Sequence, residues 1–165
     1  MTDQRCGVIA IVGRPNVGKS TLLNHLLGQK LSITSRKPQT TRNQVLGVST
    51  QGRTQLIFVD TPGLHLGHSK AINKMMNKAA ASALTGVDLT LLLCDRTKWT
   101  AEDDYVLDVV SRHEAPVALV INKTDLLRDR DELLPFVEAL SARCRFDAVL
   151  PVSALRARGL EELTE

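Results

Sequence analysis

The sequence predicts an α/β fold, a six-stranded, mostly parallel sheet with helices on both faces. Short apolar runs alternate with segments of helical apolar spacing along the whole chain, and strands separated by helices pair in parallel. The first apolar run, Val8-Ile9-Ala10-Ile11-Val12, passes through a glycine-cornered stretch into Leu22-Leu23-Asn24-His25-Leu26-Leu27, so the chain opens as strand, loop, helix. Two later runs are joined only by Gln51-Gly52-Arg53-Thr54 and read as a hairpin, which puts one antiparallel strand into the sheet. The 165 residues suffice for one domain with a full hydrophobic core.

Each element has its own local signal. The first strand is expected at 7–12 and the first helix at 19–27, with Gly28 as its C-terminal stop. Residues 29–43 are polar and basic without a convincing period, and a loop this long in a compact domain is usually functional. The hairpin strands fall at 45–50 and 55–59, and residues 64–70 are irregular. Ile72, Met75, Met76, Ala79, Ala80 and Ala83 mark an amphipathic helix that stops at Gly86, with both methionines read as core packing. A buried strand at 87–94 follows. Thr100-Ala101-Glu102-Asp103 is a capping box opening a helix to about Arg112, with Val106, Val109 and Val110 inward. A fifth strand is expected at 116–121. Pro135 suits the first turn of a helix running through Val137, Leu140 and Cys144, before a sixth strand at 146–152. A last helix starts near Gly159 and stops after two turns, against a mean of about 11–12 residues. The expectation is a piece of a longer protein, cut inside that helix.

Composition narrows the class. At 43% hydrophobic and 24% charged residues the chain is an ordinary globular protein. No apolar run approaches the ~20 residues that span a bilayer, and residues 1–5 carry no secretory core, so a cytoplasmic location is expected. Cys6, Cys94 and Cys144 are odd in number and widely spaced, which argues for reduced thiols rather than a disulfide or zinc framework. A net charge of +3 permits RNA or an anionic membrane surface as partner without demanding either.

The chemistry begins at Gly13-Arg14-Pro15-Asn16-Val17-Gly18-Lys19-Ser20-Thr21. Its spacing is that of the phosphate-binding loop of P-loop NTPases. The glycines let successive backbone N–H groups face a polyphosphate, and the following helix adds the positive end of its dipole. Lys19 supplies charge to the β- and γ-phosphates, and the Ser20 hydroxyl is placed to ligate Mg²⁺. Downstream, Asp60-Thr61-Pro62-Gly63 ends a strand. Asp60 suits a water-mediated Mg²⁺ contact, and Gly63 can bring its N–H to the γ-phosphate. Asn122-Lys123-Thr124-Asp125 selects the base. A carboxylate has only acceptors, matching the N1–H and amino donors of guanine, whereas adenine has no N1–H. Asn122 can bond the other edge of the base, the Lys123 stem can lie along its face, and Ser153-Ala154 would close over it. All four motifs end predicted strands, the edge at which such sheets bind ligands.

Together the runs G-R-P-N-V-G-K-S-T-L-L-N (13–24), S-R-K-P-Q-T-T-R (35–42), D-T-P-G-L (60–64), N-K-T-D (122–125) and S-A (153–154) resemble the translation-factor-like branch of the Ras-like GTPases. Within it they are most similar to the Era family, as is Arg96-Thr97-Lys98-Trp99-Thr100. The resemblance covers essentially the whole chain and implies a Ras-like G domain that binds GTP and GDP. It makes 29–43 and the segment after Gly63 two switches ordered by the γ-phosphate, with Thr41, or alternatively Thr40, on Mg²⁺. It places Lys19, Thr41, Gly63 and Asn16 in the catalytic set. Leu64 stands where Ras-type enzymes carry the glutamine that orients the attacking water, so intrinsic turnover is expected near the unassisted Ras rate of ~10⁻⁴ s⁻¹ or somewhat above it. Similar GTPases with an apolar residue there use K⁺, held by an asparagine at the position of Asn16, which is otherwise a Pro-Asn turn residue. His65 and His68 are assigned no role.

The family's role implies a GTP-hydrolysing switch in 16S rRNA processing and small-subunit (30S) assembly, with peripheral contact at the inner membrane and no DNA partner. Two alternatives are a related tRNA-modification or tandem-domain ribosome-assembly GTPase, and a GTP/GDP-dependent docking module with negligible hydrolysis. In the Era family a KH-type domain binds the rRNA; its G-x-x-G clamp loop is absent from this sequence. Arg36, Lys37 and Arg42 are the basic residues placed to touch RNA, though such residues more often form a solvated face.

Overall fold

The computed structural model describes residues 4–28, 44–60, 78 and 82–163. Its main strands and helices follow in order: β1 (Arg5–Val12), α1 (Lys19–Leu26), β2 (Gln44–Gln51), β3 (Thr54–Asp60), β4 (Leu89–Asp95), α2 (Ala101–Ser111), β5 (Val117–Asn122), α3 (Leu133–Ser141) and β6 (Ala148–Pro151). The strands form one sheet in the order β2-β3-β1-β4-β5-β6. Among the described strands only β2 and β3 pair antiparallel; the other four pairings are parallel. Gln51 pairs with Thr54, so Gly52-Arg53 is a two-residue turn, and Gly52 supplies the positive φ (60°) such a turn needs.

The sheet has helices on both faces, which explains why β1, β4 and β5 read as unbroken apolar runs. Alternate residues of β1 part to opposite sides. Ala10 and Val12 face Leu92, Cys94, Leu119 and Ile121 of the neighbouring strands, under Val106, Val109 and Val110 of α2 and Leu140 of α3. Ile9 and Ile11 face Phe58, Leu91 and Leu93 under Leu22 and Leu23 of α1. The inward valines of α2 are those its apolar spacing marked.

Boundaries moved for identifiable reasons. β4 starts at Leu89 because Asp88 instead clamps β1: its N–H donates to the Val8 carbonyl (2.8 Å) and its carboxylate accepts from the Val8 N–H (2.7 Å). α3 stops at Ser141, short of Cys144. β6 is trimmed to four residues, with Asp147 exchanging hydrogen bonds with Val117 at its start. The expected terminal helix does not form over 159–163. Ala157 (φ 51°) and Gly159 (φ 72°) are left-handed, and Arg158 pairs with Ser153. Only one turn follows, closed by Leu163 N–H on the Leu160 carbonyl (3.2 Å), with both leucines packed beneath the α1 face. A single turn does not repay the cost of helix nucleation.

The helix expected through Met75 and Met76 lies mostly outside the described residues; residues 82–84 are helical and Gly86 is left-handed (φ 78°). Cys6 is exposed, Cys94 buried and Cys144 half-buried, all as free thiols. Among the described residues no helix is long and apolar enough to cross a membrane.

Candidate nucleotide-binding site

The phosphate loop leaves β1 at the centre of the sheet, where the strand order turns from β3 on one side to β4 on the other, the place such sheets open a crevice. Gly13 is required by close approach: a Cβ there would sit 2.7 Å from the Leu93 carbonyl oxygen. Asn16 takes the left-handed conformation (φ 64°) and bends the loop. Gly18 (φ 102°) caps α1, and a Cβ on it would overlap the amide nitrogen of Asn122. No side chain caps α1 and its first turn holds no acidic residue, so its backbone donors and dipole face the loop. Lys19 Nζ bends back to donate to the carbonyls of Gly13 and Arg14, each at 2.7 Å. The ammonium thus stands over the cradle it would serve.

Arg14 turns away from that cradle. Its Nε donates to Asp103 Oδ2 at 2.9 Å, and the same carboxylate accepts from the Thr100 N–H (2.8 Å) and hydroxyl (2.9 Å). The capping box of α2 is therefore also an anchor for the phosphate loop. Sequence separates the two by 89 residues, and nothing in the spacing joins them.

The base end of the site is a hydrogen-bonded junction of three loops. Asn122 is 2% exposed; its Nδ2 donates to the Val17 carbonyl (2.8 Å) and its Oδ1 accepts from Ala154 N–H (2.9 Å). Where the sequence suggested that this amide reaches the base, the structure has both of its ends engaged within the protein, joining the phosphate loop to the Ser153-Ala154 loop. Lys123 is left-handed (φ 62°) and sends Nζ to the Asn16 carbonyl (2.7 Å) and to Asp95 Oδ2 (2.9 Å). Its stem therefore spans the gap between the base loop and the phosphate loop. Asp125, half-buried, accepts from Ser153 Oγ at 2.6 Å. Ser153 is fully buried, and its oxygen also accepts from Arg156 N–H (3.2 Å). Thr124 N–H donates to the Val152 carbonyl (3.1 Å), closing the two loops together.

Asp95 is the residue that motif reading missed. It ends β4, between the strands that carry the two main motifs, and its carboxylate pairs with Lys123 and with Arg96 Nε (2.8 Å). Burial pushes its carboxyl up, but the hydrogen bonds and charges of Arg96 and Lys123 more than reverse this and hold it below the ordinary carboxylate value. The only sequence signal was an acid closing a buried strand. Beside it, burial first, then Asp103 and Asp95, push the Cys94 thiol far up, so this cysteine is an inert core group.

Thr41, Thr61, Pro62, Gly63 and Leu64 lie outside the described residues, as do Arg36, Lys37, Arg42, His65 and His68. Asp60 is located by its backbone alone. It closes β3 and pairs with Ile11 of β1, which brings it to the same sheet edge as the phosphate loop.

The chain is 57% identical over 161 residues to the GTPase Era of Marinobacter nauticus, covering 98% of this chain and 53% of the relative. It is 54% identical over 165 residues to that of Glaesserella parasuis, covering 99% and 55%. Among solved structures, Era in complex with MgGDPNP and nucleotides 1506–1542 of 16S ribosomal RNA superposes with a TM-score of 0.81 at 37% identity, covering 98% of this chain and 55% of that one. An Aquifex aeolicus Era variant bound to GDP and aluminium fluoride gives a TM-score of 0.80 at 37% identity, with the same coverage. The chain thus spans about half the length of the curated relatives it matches. A family described as 50S ribosome-binding GTPase matches residues 8–123, from β1 through the phosphate loop to the lysine of the base loop, and the chain belongs to that family.

Proposed function

We propose that this chain is the guanine-nucleotide switch of an Era-like GTPase, binding GTP and GDP, hydrolysing GTP, and acting in 16S rRNA processing and small-subunit assembly. The observation that carries the nucleotide reading is the junction of loops: Asn122 and Lys123 hold the phosphate loop from the base side, with Asp125 beside them. Hydrolysis and the ribosomal role are supported by similarity to Era proteins, one of which was solved with MgGDPNP and rRNA.

Each described residue has a task in this reading. The backbone donors after Gly13 and at the start of α1 receive the phosphates, and Lys19 exchanges its carbonyl partners for phosphate oxygens. Asp125 accepts the two donors of guanine, while Ser153 fixes the carboxylate's orientation. A hard cation wants oxygen ligands; Ser20 is exposed in the first turn of α1, at the sheet edge where the backbone of Asp60 closes the neighbouring β3. With Thr41 they would hold Mg²⁺, which when bound neutralises charge on the phosphates. Asn16, exposed and with its carbonyl held by Lys123, would present its side chain to K⁺. Equal turnover in K⁺ and Na⁺ buffers would reject that assignment.

RNA affinity is assigned to the parts of the relatives that lie outside this chain, and peripheral contact with the inner membrane is carried over from the family resemblance alone. Tight rRNA retention by this chain at high salt would contradict the placement of RNA affinity. Nucleotide competition tests the central reading. GTP and GDP should displace a guanine probe where ATP does not, and Asp125→Asn should shift preference to xanthine nucleotides, which present an acceptor in place of the amino group. Equal displacement by ATP would refute it. Single-turnover hydrolysis separates an enzyme from a docking module.

A further inference from the structure

Asp95 is 8% exposed and belongs to none of the nucleotide motifs. Its two oxygens face two cations, Lys123 and Arg96. Lys123 also holds the Asn16 carbonyl, and the Arg96 N–H donates to the Asn122 carbonyl at 2.9 Å. Among the described residues four non-glycine residues have positive φ, and three of them, Asn16 (64°), Arg96 (52°) and Lys123 (62°), are these same partners. Left-handed side-chain-bearing residues persist only where their surroundings over-determine them. Here Arg96 and Lys123 meet one carboxylate directly, and Asn16 is tied to it through Lys123, at the meeting of the phosphate loop, the end of β4 and the base loop. A carboxylate this buried is retained only if paired, and losing it would leave Lys123 with one backbone acceptor and a regained choice of rotamers.

We propose that Asp95 is a positioning residue that acts through Lys123 and sets how fast bound nucleotide leaves. The proposal rests on the guanine-nucleotide reading above. With Asp95 in place, the lysine stem forms a fixed wall between base and phosphate loop. Without it, the wall loosens while Asp125 still reads the base, so release accelerates and base preference is unchanged.

The test loads the chain with fluorescent GDP and follows release into excess GDP for the parent, Asp95→Asn, Lys123→Met and the double variant. Asp95→Asn is expected to speed release about tenfold, the scale of a lost charged hydrogen bond. The double variant should release no faster than Lys123→Met alone, and the preference for GDP over xanthosine diphosphate should not move. Unchanged release, additive effects in the double variant, or failure of Asp95→Asn to fold would each make Asp95 a structural group and overturn the proposal. A parent chain that takes up no fluorescent GDP would instead sink the nucleotide reading, and this proposal with it.

Discussion

The helices α1 and α2 begin in opposite ways. α1 starts on a left-handed glycine, with no side-chain cap and no acid in its first turn. α2 starts on Thr100 in a capping box and carries Glu102, Asp103 and Asp104 in its first turn. One start leaves its backbone donors for an incoming anion; the other satisfies and neutralises its own. The buried Arg14–Asp103 pair ties the two together, so the self-capped helix braces the loop of the uncapped one. Two helix starts on the same sheet thus differ in role, one open to an anion and one bracing it, and the cap residue together with the acids of the first turn sets the difference.

The sharpest way to break this contrast is to give α1's cap a side chain. Gly18→Ala forces a Cβ into the Asn122 amide at a φ of 102°, and GDP affinity should fall about a hundredfold by calorimetry. Next in size, Asp103→Asn removes the charge that both caps α2 and holds Arg14. Urea unfolding should show a loss of about 2 kcal/mol, because Arg14 is left mostly buried without a counter-charge. Making α1 resemble α2 is a gentler change. Thr21→Asp puts an acid in its first turn, so GDP should bind about tenfold more weakly while the nucleotide-free chain melts slightly higher. Stability falling along with affinity would show that α1 is not reserved for an anion.

The smallest effect concerns α2's exposed flank. Trp99 Nε1 and then Arg143 donate to Asp104 Oδ1, each at 2.6 Å, and hold its carboxyl below the ordinary value. A lowered folded pKa means stability that is present above the unfolded carboxylate range and lost as pH falls through the folded value. Between about pH 5 and pH 3, the urea midpoint of Asp104→Asn should therefore drop less steeply than that of the parent. The pair is half-exposed, so the difference should be slight.

Much of this was legible in the chain because the signals were local. The apolar runs of β1, β4 and β5, the hairpin around Gly52 and the capping box at Thr100 all depend on neighbours in sequence, though the hairpin turn is two residues where the sequence suggested four. So do Gly13 and Gly18, whose positive φ and close contacts fit the turn their spacing marked. The misses were contacts across the sheet. Asn122 gripping Val17 and Ala154, Arg14 reaching Asp103, and Asp95 joining Lys123 are separated by 28 to 105 residues. The terminal helix failed for a different reason: the pattern Leu160-Glu161-Glu162-Leu163 is genuinely helical, but over the described residues it closes only one turn, Leu163 N–H on the Leu160 carbonyl, too short to offset nucleation.

The amide of Asn122 has a consequence for how a ligand is sensed. Because one planar group grips both the Val17 carbonyl and the Ala154 N–H, neither end of the cleft can shift without tugging the other. Fragments of the nucleotide should therefore synergise: guanosine bound at one end should tighten the grip on pyrophosphate at the other. Severing that amide, with Asn122→Ala, would leave two weak sites that no longer speak to each other.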